Sequence, residues 1–191
     1  MSDPLGVLDL ASLPPDDKDA PRRPPPPVHL WNPAHCGEID IRIARDGTWF
    51  HEGSPIGRRP LVRLFSSVLR KDPDGFHLVT PVEKLRIVVE DAPFLAVALA
   101  RTDAGLRFRT NLGDEVTADA DHPIRVAVDA ATGEPAPYVL VRGALEARLT
   151  RPVFYQLVDM AALRDGPDGT AELWVESAGS AFSLGTVEPA S

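Results

Sequence analysis

Cysteine is the first scarcity. The single Cys36 has no partner for an internal disulfide, and one thiolate cannot build a multi-thiolate zinc site. Such usage fits a reducing compartment. Aromatic residues make up 6% of the chain, enough for a core but too few for an aromatic-rich binding surface. Long apolar runs are missing: the longest candidate, residues 94–100, falls far short of the roughly 18–20 needed to cross a membrane. The first nine residues lack a basic stretch followed by an apolar run, so no signal peptide is expected. Bases are outnumbered, 20 against 28 acids, for a net charge of −8. That balance argues against general binding to nucleic acid or an anionic membrane. The expectation is a soluble, cytoplasmic protein. Lysine is the scarcest charge, 3 against 17 arginines. With abundant Ala, Asp and Pro, the composition looks like that of a GC-rich bacterium.

What the chain has is enough apolar matter for a core, 43% of 191 residues, and a surplus of proline. The length suits one ordinary domain or two small ones. Of its 20 prolines, nine fall in the first 33 positions. Residues 13–27 add six charges and little apolar surface, so residues 1–33 read as a flexible proline-rich arm, with Pro24, Pro25, Pro26 and Pro27 as stiff polyproline II. The plain reading of the arm is a spacer. The functional one is a docking site for a proline-reading partner.

From Cys36 the pattern changes. Glu38, Ile39, Asp40, Ile41, Arg42 and Ile43 alternate polar with apolar, as a half-buried strand does, and Asp46-Gly47 turns the chain into a return strand at Thr48 to His51. Leu61, Leu64, Phe65, Val68 and Leu69 share one helical face behind Arg59-Pro60. A second helix is expected over residues 152–163. The rest reads as strands near 76–80, 84–90, 94–100, 106–110, 115–118, 124–129, 138–142, 144–149, 171–176 and 182–184. Both helical segments open on Arg-Pro, at Arg59-Pro60 and Arg151-Pro152. Both are closed by Pro-Asp-Gly, at Pro73-Asp74-Gly75 and Pro167-Asp168-Gly169. A near-constant offset over one strand–helix–strand unit points to duplication.

No strong catalytic motif is present: no Gly-x-Ser-x-Gly, no phosphate-binding Walker loop, no His-Glu-x-x-His, no Gly-x-Gly-x-x-Gly. No catalytic residue, metal site or cofactor is therefore assigned. His35-Cys36 is a metal-like pair, but neighbours on a strand face opposite ways, so a buried cysteine beside a surface histidine is the expectation. Asp114, Glu115, Asp119 and Asp121 form an acidic loop without calcium-loop spacing. Cations are better placed. Lys84 and Arg86 share one strand face, as do Arg107 and Arg109. Arg59 and Arg151 sit at helix starts, where free backbone amides favour an anion. Trp49 and Tyr155 lie near the repeat landmarks and would add contact surface. The plainer reading leaves these charges as solvated, acid-paired faces of a sheet and the aromatics as packing.

Three segments carry a resemblance: Cys36 to Ile41; Asp46-Gly47-Thr48-Trp49-Phe50-His51-Glu52-Gly53-Ser54-Pro55-Ile56; and Leu61 to Leu69. With Pro81-Val82-Glu83-Lys84, Asp121-His122-Pro123 and Tyr138-Val139-Leu140-Val141-Arg142, they are similar to the bacterial domain-of-unknown-function family 1285. The resemblance implies an α+β fold with two related, mostly antiparallel β halves, each with one helix, the second loosely pleckstrin-homology-like. It also implies a ligand site at the joint and a role in signalling. The expected layout is an arm over 1–33, a first half over 34–92 and a second over 93–191. The leading expectation is a non-enzymatic binding or sensor module for a small anionic, nucleotide-like ligand between the halves. Its ligand-binding residues would be Trp49, Arg59, Lys84, Arg142, Arg151 and Tyr155. The alternatives are a scaffold for a protein partner and a hydrolase.

Overall fold

A computed structural model describes residues 24–166 and 169–187. It divides into two compact units, Met1–Asp91 and Ala92–Ser191. Among the described residues no helix is long and apolar enough to cross a membrane.

The first unit is a six-stranded sheet around one helix. Its elements are β1 (His35–Ile43), β2 (Trp49–His51), β3 (Ser54–Pro55), α1 (Arg59–Ser67), β4 (Leu69–Asp72), β5 (Gly75–Val79) and β6 (Glu83–Val89). The strand order is β3-β2-β1-β6-β5-β4. β1 and β6 run parallel at the centre, and every other pairing is antiparallel. The Asp46-Gly47 turn forms as its sequence demands: the Asp46 carboxylate accepts from the Thr48 amide at 2.9 Å, and Gly47 takes φ 83°, where a Cβ would strain the chain. Alternation along β6 buries Leu85 and Ile87 and turns Lys84 and Arg86 to the other face. The core is Ile41, Ile43, Trp49, Phe65, Leu78 and Ile87, with the Trp49 and Phe65 rings stacked 6.3 Å apart.

The second unit has two sheets. β7 (Phe94–Thr102), β8 (Gly105–Thr110), β9 (Glu115–Thr117), β10 (Ile124–Val128), β11 (Pro135–Arg142) and β12 (Leu145–Leu149) form a sheet in the order β10-β11-β12-β7-β8-β9. Here β12 and β7 supply the central parallel pair. After α2 (Arg151–Asp159), strands β13 (Ala162–Asp165), β14 (Ala171–Ser177) and β15 (Ser180–Val187) make an antiparallel sheet of three. Ser177 joins the two sheets: its hydroxyl donates to the Ala118 carbonyl at 2.6 Å and accepts from the Leu106 amide at 2.8 Å.

Two similar β-rich halves with one helix each are therefore present, and their likeness has two aspects. Both six-stranded sheets are paired meanders joined by their first and last strands in parallel. Separately, the order three strands, helix, three strands occurs over β1–β6 and again over β10–β15. The Arg-Pro pairs open α1 and α2, and the Pro-Asp-Gly segments fall between β4 and β5 and between β13 and β14.

Several local expectations change. The helices end at Ser67 and Asp159, earlier than the apolar periodicity suggests, because residues 69–72 and 162–165 pair as strands with β5 and β14. Pro73-Asp74-Gly75 thus makes a hairpin turn rather than a helix stop, while Pro167 and Asp168 of the second segment lie outside the described residues. Cys36 is exposed, not buried, because the buried part of β1 is its far end, at Ile41 and Ile43. The arm lies outside the described residues as far as 23. Its end is fastened: Pro27 at φ −76°, ψ 62° makes an inverse γ-turn, not polyproline II, and leads into a 3-10 turn at Val28–Leu30. Arg70 Nη1 then donates to the carbonyls of Val28, 2.8 Å, and Trp31, 2.7 Å.

Candidate functional site

The six residues expected to bind a ligand divide equally between the two units, and four of them are engaged at four different places. Trp49 is 2% exposed and belongs to the first core. Lys84 Nζ lies 2.6 Å from Asp72 Oδ2. Arg142 donates to Asp114 at 2.9 Å, its guanidinium 4.9 Å from the centre of the Phe94 ring. Arg151 donates to Glu134 at 2.9 Å in the open. Arg59 and Tyr155 are exposed on α1 and α2. Asp114 therefore serves Arg142, while Asp119 accepts from the amides of Asp121 and His122 and faces the His122 ring at 3.0 Å. Two of the four carboxylates of the acidic loop thus have structural work.

Around Lys84 the electrostatics are tight. Burial pushes the Asp72 carboxyl up, but the hydrogen bonds and charges of Arg70 and Lys84 outweigh it and hold it below its ordinary value. Burial and the Lys84 charge hold the neighbouring His77 imidazole below its ordinary value, against the opposing pull of Asp74 and Asp72.

An opening lies in the second unit, where sequence reasoning placed no site. A groove of about 600 Å³ runs between β10 and β15, floored by Ile124, Val126, Trp174, Phe182 and Leu184. That volume is in the range of small-molecule pockets. Its origin lies in the recurring order of elements. In the first unit the first and last strands of the order, β1 and β6, close on each other through parallel hydrogen bonds. The first and last strands of the same order in the second unit, β10 and β15, are end strands of different sheets and are not hydrogen-bonded to each other. The seam that is closed in the first unit is thus open in the second. End strands carry unpaired backbone N–H and C=O groups, so the groove combines apolar side chains with main-chain polarity.

Arg125 is the charged residue on the groove. Its guanidinium stacks 4.2 Å from the centre of the Tyr138 ring and donates to both oxygens of Glu146. Trp174 is held by its own indole N–H, which donates to Glu172 at 2.8 Å, and by Arg164 5.1 Å from its ring centre. A weak signal for this site was present in the sequence. Ile124, Val126 and Val128 alternate as a strand does, yet Val128 is 73% exposed, a position where a paired strand facing solvent would carry a polar residue.

Comparison with known proteins follows the two units. Residues 26–92 match the family described as "Domain of unknown function (DUF1285), N-terminal domain", and residues 93–184 match "Protein of unknown function (DUF1285), C-terminal domain". A crystal structure of a DUF1285 family protein from Silicibacter pomeroyi is similar at 51% identity and a TM-score of 0.80, over 87% of this chain and 91% of that one. Another, from Shewanella baltica, is similar at 28% identity and a TM-score of 0.51, over 62% of this chain and 90% of that one. No curated protein matches the chain.

Proposed function

The chain belongs to the DUF1285 family, and from that premise we propose that it is a non-enzymatic sensor module whose small anionic ligand occupies the open seam between β10 and β15. One observation carries this reading: the groove lies between β10 and β15, two sheet-end strands that are not hydrogen-bonded to each other, whereas the first and last strands of the same element order in the first unit, β1 and β6, are. A ligand there completes a seam that the chain leaves unfinished. Its apolar body meets Phe182, Leu184 and Trp174, and its anionic group takes Arg125 in exchange for Glu146. A flat, nucleotide-like molecule suits that combination. Binding rather than catalysis is favoured because the groove lining contains no histidine, carboxylate or cysteine to move a proton or to activate its Ser183 and Thr186 hydroxyls. The loose pleckstrin-homology likeness of this half, antiparallel meanders beside one helix, belongs to the same proposal.

Thermal-shift measurements with nucleotides, inorganic phosphate and uncharged flat analogues test it. A ligand at a hundredfold excess over its Kd adds about 2.7 kcal/mol of stability. Val128→Glu, at an exposed position on the groove, should abolish that gain, and Arg125→Ala should abolish the preference for anions. No stabilisation by any member of the panel, or a gain untouched by Val128→Glu, removes the reading.

A second reading has an observation of its own. Because both groove strands end their sheets, an extended peptide fits by adding as a strand, which is how a protein-interaction scaffold would use this edge. Peptide binding that protects β10 amides from exchange, with no small-molecule shift, would favour it.

A further inference from the structure

The β4–β5 hairpin of the first unit carries a second site, built by side chains that the ligand groove does not use. The two strands meet at the Asp72–Gly75 pair, which puts Asp72, Asp74 and His77 together. One candidate ligand atom from each lies within 4.8 Å of the others. His77 is 3% exposed. Its Nε2 is 3.4 Å from Asp74 Oδ2 and its Nδ1 is 3.7 Å from Asp72 Oδ2. That Nδ1 is buried without a hydrogen-bond partner. Burial at this position calls for an apolar side chain, as at its neighbours Leu78 and Val79. A buried imidazole whose two nitrogens face two different carboxylates, one of those nitrogens unmatched, points to a further group there.

A cation already stands at the cluster. Lys84 Nζ is 2.6 Å from Asp72 Oδ2 and 3.9 Å from Asp74 Oδ1. Arg70 fixes the Asp72 carboxylate from behind, Nε to Oδ1 at 2.8 Å and Nη2 to Oδ2 at 2.9 Å. Such outer contacts orient a ligating carboxylate. The Asp74 side chain is 60% exposed on the turn and free to close in, and the 20% exposure of Lys84 leaves it a route out.

We propose that Asp72, Asp74 and His77 form a binding site for a divalent transition metal of the zinc type, in which the ion takes the place of the Lys84 ammonium. One imidazole with two carboxylates suits zinc or nickel better than calcium or magnesium, which prefer all-oxygen sets. Three protein ligands leave a fourth tetrahedral position for water. Arg70 and Lys84 balance Asp72 and Asp74 at rest. The incoming 2+ ion replaces the single ammonium charge as Lys84 swings into solvent and leaves one net positive charge, which a hydroxide or other anion at the fourth position cancels.

Titration of the full chain with Zn²⁺ against a chromophoric chelator tests the site. Cys36→Ser is the background, since an exposed thiol is itself a zinc ligand. One Zn²⁺ should bind, at least tenfold more weakly after Asp74→Asn, an exposed change that leaves the fold intact. Lys84→Met should tighten binding at least tenfold by removing the competitor. Ca²⁺ and Mg²⁺ should not compete at equal concentration. Absence of Zn²⁺ binding in both the background and Lys84→Met overturns the site, as does an Asp74→Asn variant that binds as well as its parent. His77→Gln adds a third arm where it folds, with the loss read from the chelator signal.

Discussion

Ser177→Ala removes one oxygen and unties the two sheets of the second unit. The hydroxyl is 3% exposed and serves two backbone groups at once, accepting from Leu106 N–H at 2.8 Å and donating to Ala118 C=O at 2.6 Å. Alanine leaves both without that partner in a dry setting. An orphaned buried donor or acceptor costs about 1–3 kcal/mol, so the pair should cost about 2–6 kcal/mol. For a unit of about 100 residues each kcal/mol lowers the midpoint by about 4–8 °C, so the fall should be at least about 8 °C. The approach is close enough that a Cβ on Gly105 would stand 2.6 Å from the Ser177 oxygen, so Gly105→Ala should destabilise as well. Calorimetry on the whole chain reads the size, and amide exchange at Leu106 reads the place. Because Ser177 holds β14, and β14 holds β15, the variant should also weaken any ligand of the β10–β15 groove. A loss under about 0.5 kcal/mol, or unchanged protection at Leu106, refutes the assignment of Ser177 as the tie between the sheets. Ser180→Ala, at the other side of the same turn, is the control and should change little.

Three further outcomes follow from the geometry. Arg70→Ala should raise amide exchange over residues 28–31, since one guanidinium nitrogen holds two carbonyls of that segment; unchanged exchange would mean other contacts hold it. Glu90 accepts from the Arg45 amide and from Arg42, which hold its carboxyl below its ordinary value of 4.5. A depressed acid stabilises the fold above its unfolded pKa, and that contribution is lost as pH falls through the folded one. Carboxyl NMR should therefore find the Glu90 midpoint below 4.5, and Glu90→Gln should flatten the acid limb of stability; a midpoint at or above the ordinary value contradicts the contact. Phe65→Ala should cost about 3–5 kcal/mol by opening a cavity beside Trp49, as denaturant unfolding would show.

Much of this fold was legible because its signals are local. Alternation at Glu38 to Ile43 and at Lys84 to Ile87, the Asp46-Gly47 turn and the two Arg-Pro helix starts are decided within a few residues of each position. The scarcity of cysteine and of long apolar runs excluded disulfide frameworks and spanning helices by arithmetic alone. Element ends were less legible. Leu69 continues the apolar helical face of Leu61 and Phe65, yet it leaves the helix because β5 offers its backbone a strand partner 9 residues later, at Leu78. No local pattern contains that competitor.

The sites required tertiary structure for the same reason. Asp72, Asp74 and His77 read in sequence as a turn and a strand, and only the β4–β5 pairing brings them onto one another. Trp49 and Phe65 reveal their stacking only when β2 and α1 close on one core. The groove is the strongest case. The sequence by itself determined that a strand–helix–strand unit occurs twice. Tertiary structure decided that β1 and β6 close their seam while β10 and β15 leave theirs open. The physical reason is that strand pairing joins residues far apart in the chain: β1 and β6 meet across some 50 residues, and β10 and β15, each at the end of its own sheet, are not hydrogen-bonded to each other.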